Sequence, residues 1–205
     1  MSKLLRVALL LLSLCSVPAF AKEPLMVRAE DQNPKPEPGK ALLVFVRAAF
    51  VGGGIASTVY DAPDDATRFL GALIFKQKMA VQMEPGEHRL MVVSENADFV
   101  DVKLDADKTY YLLVSPRPGV WKARFSLLPI HNRADAKYNL LGEDFKKWME
   151  KTEYVTPTPA AAAWYEEHKG SVAEKKTEYL VKWNKMDAPD RAELVLHAED
   201  GVVAK

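Results

Sequence analysis

The sequence has few of the features that usually reveal a function. It contains one cysteine and four histidines in 205 residues. It has no C-x-x-C, H-x-H or HExxH spacing of the kind that holds a metal ion. The G-x-S-x-G elbow of hydrolytic enzymes is also missing. We therefore expect no metal, no cofactor and no serine or cysteine nucleophile.

An excess of charge of one sign is missing as well. The 28 Lys and Arg residues balance the 28 Asp and Glu residues. A nucleic-acid-binding domain normally carries a basic excess, so nucleic acid is not an expected partner. The 48% hydrophobic and 27% charged residues are typical of a globular protein with its own core.

Long hydrophobic runs are confined to the first 21 residues, MSKLLRVALLLLSLCSVPAFA. Lys3 and Arg6 form a short basic region, and residues 4–14 are mostly apolar but too few to span a bilayer. The A-x-A pattern that ends at Ala21 is a cleavage signal. These features predict a Sec signal peptide over residues 1–21, cleavage after Ala21, and a periplasmic or secreted protein without a transmembrane helix.

Cys15 raises the alternative of a lipoprotein signal, in which the cysteine that ends the apolar run is acylated and becomes the new N-terminus. That processing requires a small residue directly before the cysteine, and Leu14 is bulky. We therefore expect no lipid anchor at Cys15. Cleavage after Ala21 leaves a chain without cysteine, so its core must be stable without disulfides in an oxidising compartment.

The remaining chain changes character twice. Residues 22–38 are polar and proline-rich, as in a leader. Residues 39–131 contain short strand-like segments with turns every 8–12 residues, which predicts an antiparallel β-sandwich of about seven to eight strands. The expected strands are ALLVFV, IASTVYD, RFLGALI, KMAVQM, EHRLMVVS, FVDVKLD, TYYLLVS and WKARFSLLPI.

Residues 132–205 have helical spacing instead, which makes the predicted fold class α+β. DAKYNLLGEDFKKWMEK places Leu141, Phe145 and Trp148 on one face. Residues 160–186 predict one long helix, and Asp187 is a suitable cap for a last helical segment ending at Gly201. We expect this region to pack on the sandwich.

Four segments carry a resemblance through their order and spacing: PGKALLVFVR (38–47), FLGAL (69–73), MEPGEHRLMV (83–92) and DKTYYLLV (107–114). In these segments the chain resembles an uncharacterised family of bacterial envelope proteins known as a domain of unknown function. The resemblance covers residues 38–130. It implies a small β-sandwich similar to transthyretin-like or peptidase-associated accessory domains. It implies no catalytic residues.

Residues His88, Glu95 and Trp121 form a candidate loop site. His88 follows the Pro85-Gly86 turn, where it either binds a ligand or donates a hydrogen bond to a backbone carbonyl. Glu95 or Asp98 with His88 would be the acid–base groups of a hydrolase. Trp121, beside Pro118 and Gly119, either stacks on a sugar ring or belongs to the core.

The predicted long helix carries a stripe of aromatic residues, Trp164, Tyr165, Tyr179 and Trp183. One interpretation is that the stripe is buried against the sandwich. The other is that it anchors a partner, either another envelope protein or a second copy of the chain. We expect a non-enzymatic interaction scaffold of the cell envelope. The alternatives are a sugar- or peptide-binding module and a hydrolase.

Overall fold

The computed structural model describes residues 23–50, 54–117 and 124–203. Within these ranges the protein has twelve strands in two sheets and three helices. The helices are α1 (Glu143–Lys151), α2 (Pro159–Asn184) and α3 (Ala188–Ala192). None of the helices in the described part combines the length and the apolar character needed to cross a membrane.

The larger sheet has seven strands in the order β1-β10-β5-β2-β8-β12, and β9 also pairs with β8. These strands are β1 (Met26–Arg28), β2 (Ala41–Arg47), β5 (Gln77–Met83), β8 (Lys108–Arg117), β9 (Arg124–Pro129), β10 (Glu153–Pro157) and β12 (Val202–Val203). The smaller sheet has the order β11-β7-β6-β3-β4. Its strands are β3 (Ser57–Asp61), β4 (Arg68–Leu73), β6 (Gly86–Val93), β7 (Ala97–Leu104) and β11 (Val195–Leu196).

The main core contains side chains from both sheets. On β2, Leu43 and Phe45 belong to this core together with Val59 of β3 and Val100 of β7. Alternate residues of β2 belong to a second cluster, in which Leu42 and its neighbours pack with Trp148 of α1. Both faces of β2 are therefore covered, which explains why its sequence is a continuous apolar run instead of an alternating one.

The long helix α2 covers the outer face of the smaller sheet. Val172, Tyr179 and Trp183 form a cluster there with Met91 of β6 and Phe99 of β7. The four Ala residues that open α2 and its many Lys and Glu residues are strong helix formers, and the helix runs through Gly170 without a break. Helix α2 therefore packs on the smaller sheet through this cluster.

The predicted antiparallel sandwich needs correction. The structure confirms a mixed α and β architecture, but the two sheets are not a closed sandwich. Three strand pairs are parallel, namely β2–β8, β10–β5 and β11–β7. Apolar alternation reports which face of a strand is buried and does not report strand direction, so the local pattern could not distinguish parallel from antiparallel pairs.

The proline-rich leader is also more ordered than its composition indicated. Met26–Arg28 forms β1, which pairs with β10. The side-chain amide of Gln32 donates to the carbonyl of Tyr154, and its oxygen accepts from the Tyr154 amide. Residues 132–205, expected to be mainly helical, likewise contribute three strands, β10, β11 and β12. The predicted cap at Asp187 is confirmed, since its side chain accepts from the Asp190 amide at 2.9 Å.

The last part of the described chain is joined to the core by a hydrogen bond between His131 and Asp200. His131 Nδ1 lies 2.9 Å from Asp200 Oδ2, and Asp200 Oδ1 accepts from the Asn132 amide at 3.0 Å. Burial alone would raise the pKa of Asp200, but the contacts with His131, His197 and Asn132 outweigh it and hold that pKa below its ordinary value. This link places β12 beside β8.

Candidate functional site

The aromatic stripe of α2 is turned towards the protein's own sheet. Tyr179 and Trp183 are buried, and their ring centroids lie 5.0 and 5.7 Å from that of Phe99. Tyr165 stacks on Phe69 at 5.6 Å, and Trp164 packs on the same ring at 6.2 Å. The stripe therefore stabilises the α2–sheet contact, and Tyr179 and Trp183 are not accessible to a partner.

His88 forms contacts within the turn that it follows. Its Nε2 lies 2.9 Å from the carbonyl oxygen of Glu84, and its Nδ1 lies 3.6 Å from Oδ1 of Asp61. The nearby Asp61 carboxylate raises the pKa of His88 above its ordinary value. Gly86, with φ of +130°, supplies a backbone conformation that favours glycine and lets the chain reverse just before His88.

The three groups of the hydrolase hypothesis do not converge. Glu95 is exposed in the turn after β6, whereas His88 lies near the other end of β6. At about 3.4 Å per residue, the stretch of β6 from His88 to Val93 alone separates His88 from the turn by roughly 17 Å. Asp98 is fully buried and accepts hydrogen bonds from Arg117 and Tyr179. Trp121, the basis of the sugar-binding alternative, lies outside the described residues.

A charged groove follows the outer face of β6 and β7, beyond the part that α2 covers. Its volume is about 670 Å³. Across the two strands, Glu87 pairs with Lys103 and Arg89 pairs with Asp101. Arg89 donates to Asp101 at 2.8 Å and to Asp64 at 2.7 Å, so it holds the loop after β3 against the sheet.

The chemistry of this charged groove suits a polar ligand that carries both charges. Glu87 and Lys103 are exposed on neighbouring strands, and His197 is exposed at the groove's rim. Among the described residues, no Phe, Tyr or Trp side chain lines the groove, so it lacks the flat apolar surface on which a sugar ring would stack. A short peptide fits this lining better than a sugar.

Four apolar side chains in loops at one end of the sheets form a second candidate surface, which we call the apolar loop end. They are Phe50, Ile55, Ile74 and Phe75. Phe50 is 75% exposed, Ile55 46% and Ile74 39%. The rings of Phe50 and Phe75 meet edge to face at 5.2 Å. Exposed apolar side chains gathered in one place often mark an interaction site.

A buried arginine holds these loops together. Arg47, the last residue of β2, donates through its guanidinium to the backbone carbonyls of Ile55 and Leu73. The Phe125 ring lies 4.2 Å from the guanidinium carbon. Burial lowers the pKa of Arg47 to about 10, which leaves it charged at neutral pH. Arg47 therefore connects the loops of the apolar loop end to the buried core.

Sequence reasoning missed the apolar loop end because it assigned Ile55 and Ile74 to strands. The structure begins β3 at Ser57 and ends β4 at Leu73, so both residues fall in loops. The sequence signal that could have revealed this surface is the run of three glycines that begins two positions after Phe50. A glycine run predicts a loop, and large apolar side chains on either side of a loop are candidates for exposure.

Comparison with models of known protein families found no match for this chain, and comparison with curated proteins found none either. Within the part of the chain that the structure describes, no three His, Cys, Asp or Glu side chains gather as metal ligands would. The functional argument accordingly depends on the charged groove and the apolar loop end.

Proposed function

We propose that this protein is an exported, non-enzymatic interaction scaffold of the cell envelope, and that the apolar loop end is its contact surface. The observation that supports the proposal is the exposure of Phe50, Ile55 and Ile74 on loops that Arg47 anchors. Leaving three large apolar side chains in water forgoes stabilisation that burial would provide. Contact with a partner recovers that stabilisation.

Export is inferred from residues 1–21, with cleavage after Ala21 and no lipid at Cys15. We also infer that the two sheets belong to the open β-sandwich type implied by the resemblance over residues 38–130. The supporting observation is that Leu43 of the larger sheet and Val100 of the smaller sheet belong to one core cluster.

A non-enzymatic role is favoured because the candidate acid–base groups His88 and Asp98 are engaged in contacts within the protein. His88 has acceptors near both ring nitrogens, at Glu84 and Asp61. Asp98 is occupied by Arg117 and Tyr179. A general base must reach a proton on its substrate, and these side chains are directed at the protein itself.

Fractionation of cells tests the proposal. The exported protein should sediment with the envelope, and the double variant Phe50→Ser/Ile74→Ser should move to the soluble periplasmic fraction. Leu141→Ser is the matched control, because Leu141 is 69% exposed but lies close to His131, beyond the opposite end of β9. A freely soluble wild-type protein would contradict the proposal.

The charged groove supports a second candidate function, the binding of a short peptide. The specific observation is the pairing of exposed Glu87 and Lys103 in an open cavity of about 670 Å³. Titration with a peptide that contains one Lys and one Glu should shift the backbone NMR signals of both residues. Glu87→Gln/Lys103→Gln should abolish the shifts, and a hexose should produce none. Unchanged spectra with the peptide would exclude this function.

A further inference from the structure

We propose that the partner of the apolar loop end is the surface of a phospholipid bilayer that carries anionic headgroups. This inference rests on the proposed function, because it names the partner of the same surface. It is supported by three properties of that surface: its small area, the cations beside it and its fixed presentation.

The apolar area that the described residues expose at this end is smaller than a stable protein interface needs. If a fully exposed large side chain offers roughly 200 Å², the fractions for Phe50, Ile55 and Ile74 sum to about 300 Å². A standard protein interface needs about 800 Å² on each partner. A bilayer sets no such minimum, since single aromatic and aliphatic side chains partition into its interface independently.

Cations stand beside the apolar side chains. Lys76 is exposed in the same turn as Phe75, and its Nζ lies 5.5 Å from that ring. Arg124 is exposed and directly precedes Phe125, the residue that packs on Arg47. Two acidic residues lie near this surface. Glu95 is in the β6–β7 turn, which adjoins the start of β3 because Val93 pairs with Thr58. Glu153 donates its amide to the Lys76 carbonyl at 3.0 Å, but its carboxylate lies 3.6 Å from Arg28. Lys76 and Arg124 are exposed, and they meet phosphate groups when Phe50 and Ile74 reach the acyl boundary.

The surface is also presented in a fixed arrangement. Arg47 fixes the backbone at Ile55 and Leu73, and Arg47 pairs with Gln77 in the sheet, so the turn between β4 and β5 is held at both ends. The edge-to-face contact of Phe50 with Phe75 joins Phe50 to the same turn. Insertion into a membrane then requires little further ordering of these side chains.

Vesicle sedimentation with the exported form of the protein, purified from the host, tests the inference. Wild type should bind vesicles of phosphatidylethanolamine and phosphatidylglycerol, and bind phosphatidylcholine vesicles more weakly. Phe50→Ser should lower the partition coefficient roughly tenfold or more. Lys76→Gln should lower it about fivefold, and that loss should shrink at high salt. Leu141→Ser should bind as wild type does.

The outcomes separate this inference from the proposed function. If wild type binds no vesicle while envelope fractionation still depends on Phe50, the partner is a protein, and only the lipid inference is overturned. If light scattering shows a dimer that Phe50→Ser dissociates, the occupant is a second copy, and the lipid inference is again overturned. If Phe50→Ser and Leu141→Ser reduce vesicle binding equally, the contact is nonspecific and the inference fails. Circular dichroism confirms that each variant is folded.

Discussion

Tyr179 on α2 donates a hydrogen bond to the buried carboxylate of Asp98 on β7. Asp98 accepts a second bond from Arg117 of β8, so one carboxylate links the long helix to both sheets. Burial and the neighbouring Asp98 charge raise the pKa of Tyr179, and the phenol stays protonated as a donor. Tyr179, for which the sequence left open either burial or contact with a partner, is therefore part of the internal framework.

We expect Tyr179→Phe to destabilise the protein by about 1.5–3 kcal/mol, because it removes a hydrogen bond to a charged and buried acceptor. Urea denaturation measures the free energy of unfolding. Tyr138→Phe is the matched control, since the Tyr138 hydroxyl has no hydrogen-bond partner among the described residues and its loss should change stability by less than about 0.5 kcal/mol. Equal effects in both variants would show that the Tyr179–Asp98 bond contributes nothing.

The His88–Asp61 pair predicts a pH dependence. Because the pKa of His88 is raised in the folded protein, its stabilising contribution is present below the unfolded pKa of about 6.5 and is lost as pH rises through the folded pKa. Burial alone would raise the pKa of Asp61, but His88 and Arg68 lower it below its ordinary value. The Asp61 contribution is thus present above about pH 3.9 and lost as pH falls through its folded pKa.

NMR titration of the His88 imidazole checks this relationship. Asp61→Asn should lower the pKa of His88, because the side chain next to the imidazole loses its negative charge. Asp64→Asn is the control, since Asp64 contacts Arg89 instead of His88, and it should leave the His88 titration nearly unchanged. An unaltered midpoint in Asp61→Asn would mean that the 3.6 Å contact does not set the protonation of His88.

Lys176 of α2 is buried, and its Nζ donates to the carbonyls of Pro63 and Ala66. We expect Lys176→Met to release residues 63–67 from the helix, with faster amide exchange there and a stability loss of about 2 kcal/mol. Lys169→Met on the same helix removes only an exposed pair with Glu166 and should have little effect. Unchanged exchange at residues 63–67 in Lys176→Met would refute this role.

Two glycines give a paired prediction. A Cβ on Gly201 would lie 2.4 Å from the buried ring of Tyr110, so Gly201→Ala should cost about 1–3 kcal/mol and loosen β12. A Cβ on Gly170 meets nothing within 4 Å, and alanine is the better helix former, so Gly170→Ala should stabilise by about 1 kcal/mol. Thermal unfolding should shift the two variants in opposite directions.

The sequence predicted the elements whose signals are local. The eight strands expected between residues 41 and 130 correspond to β2–β9, and the long helix over 160–186 corresponds to α2 at Pro159–Asn184. The strands it missed, β1, β10, β11 and β12, are two to five residues long. Such strands exist because a distant partner is present. Val195–Leu196, for example, pairs with residues 101 and 102, and no local pattern reports that contact.

The candidate sites were predictable to a different extent. The aromatic stripe was found from its helical spacing, but spacing shows only that a face is apolar and not what covers it. The contact of His88 with Glu84 spans four residues and follows from the Pro85-Gly86 turn. Its contact with Asp61 joins two strands, and it required the fold. The apolar loop end was missed because Ile55 and Ile74 were assigned to strands, whereas β3 begins at Ser57 and β4 ends at Leu73.

A set of three paired residues across the larger sheet affects the stage at which that sheet can be completed during folding. Thr109 of β8 pairs with Leu42 on one side and with Val202 on the other. Leu42 and Thr109 are 67 residues apart in the chain, and Thr109 and Val202 are 93 residues apart. All three segments must therefore meet before these pairings are complete. Long-range and parallel pairings of this kind form slowly, so a growing chain cannot complete this edge of the sheet until residue 202 has been made. Under the export that we propose, this late step would fall after the rest of the chain has passed through the translocation channel.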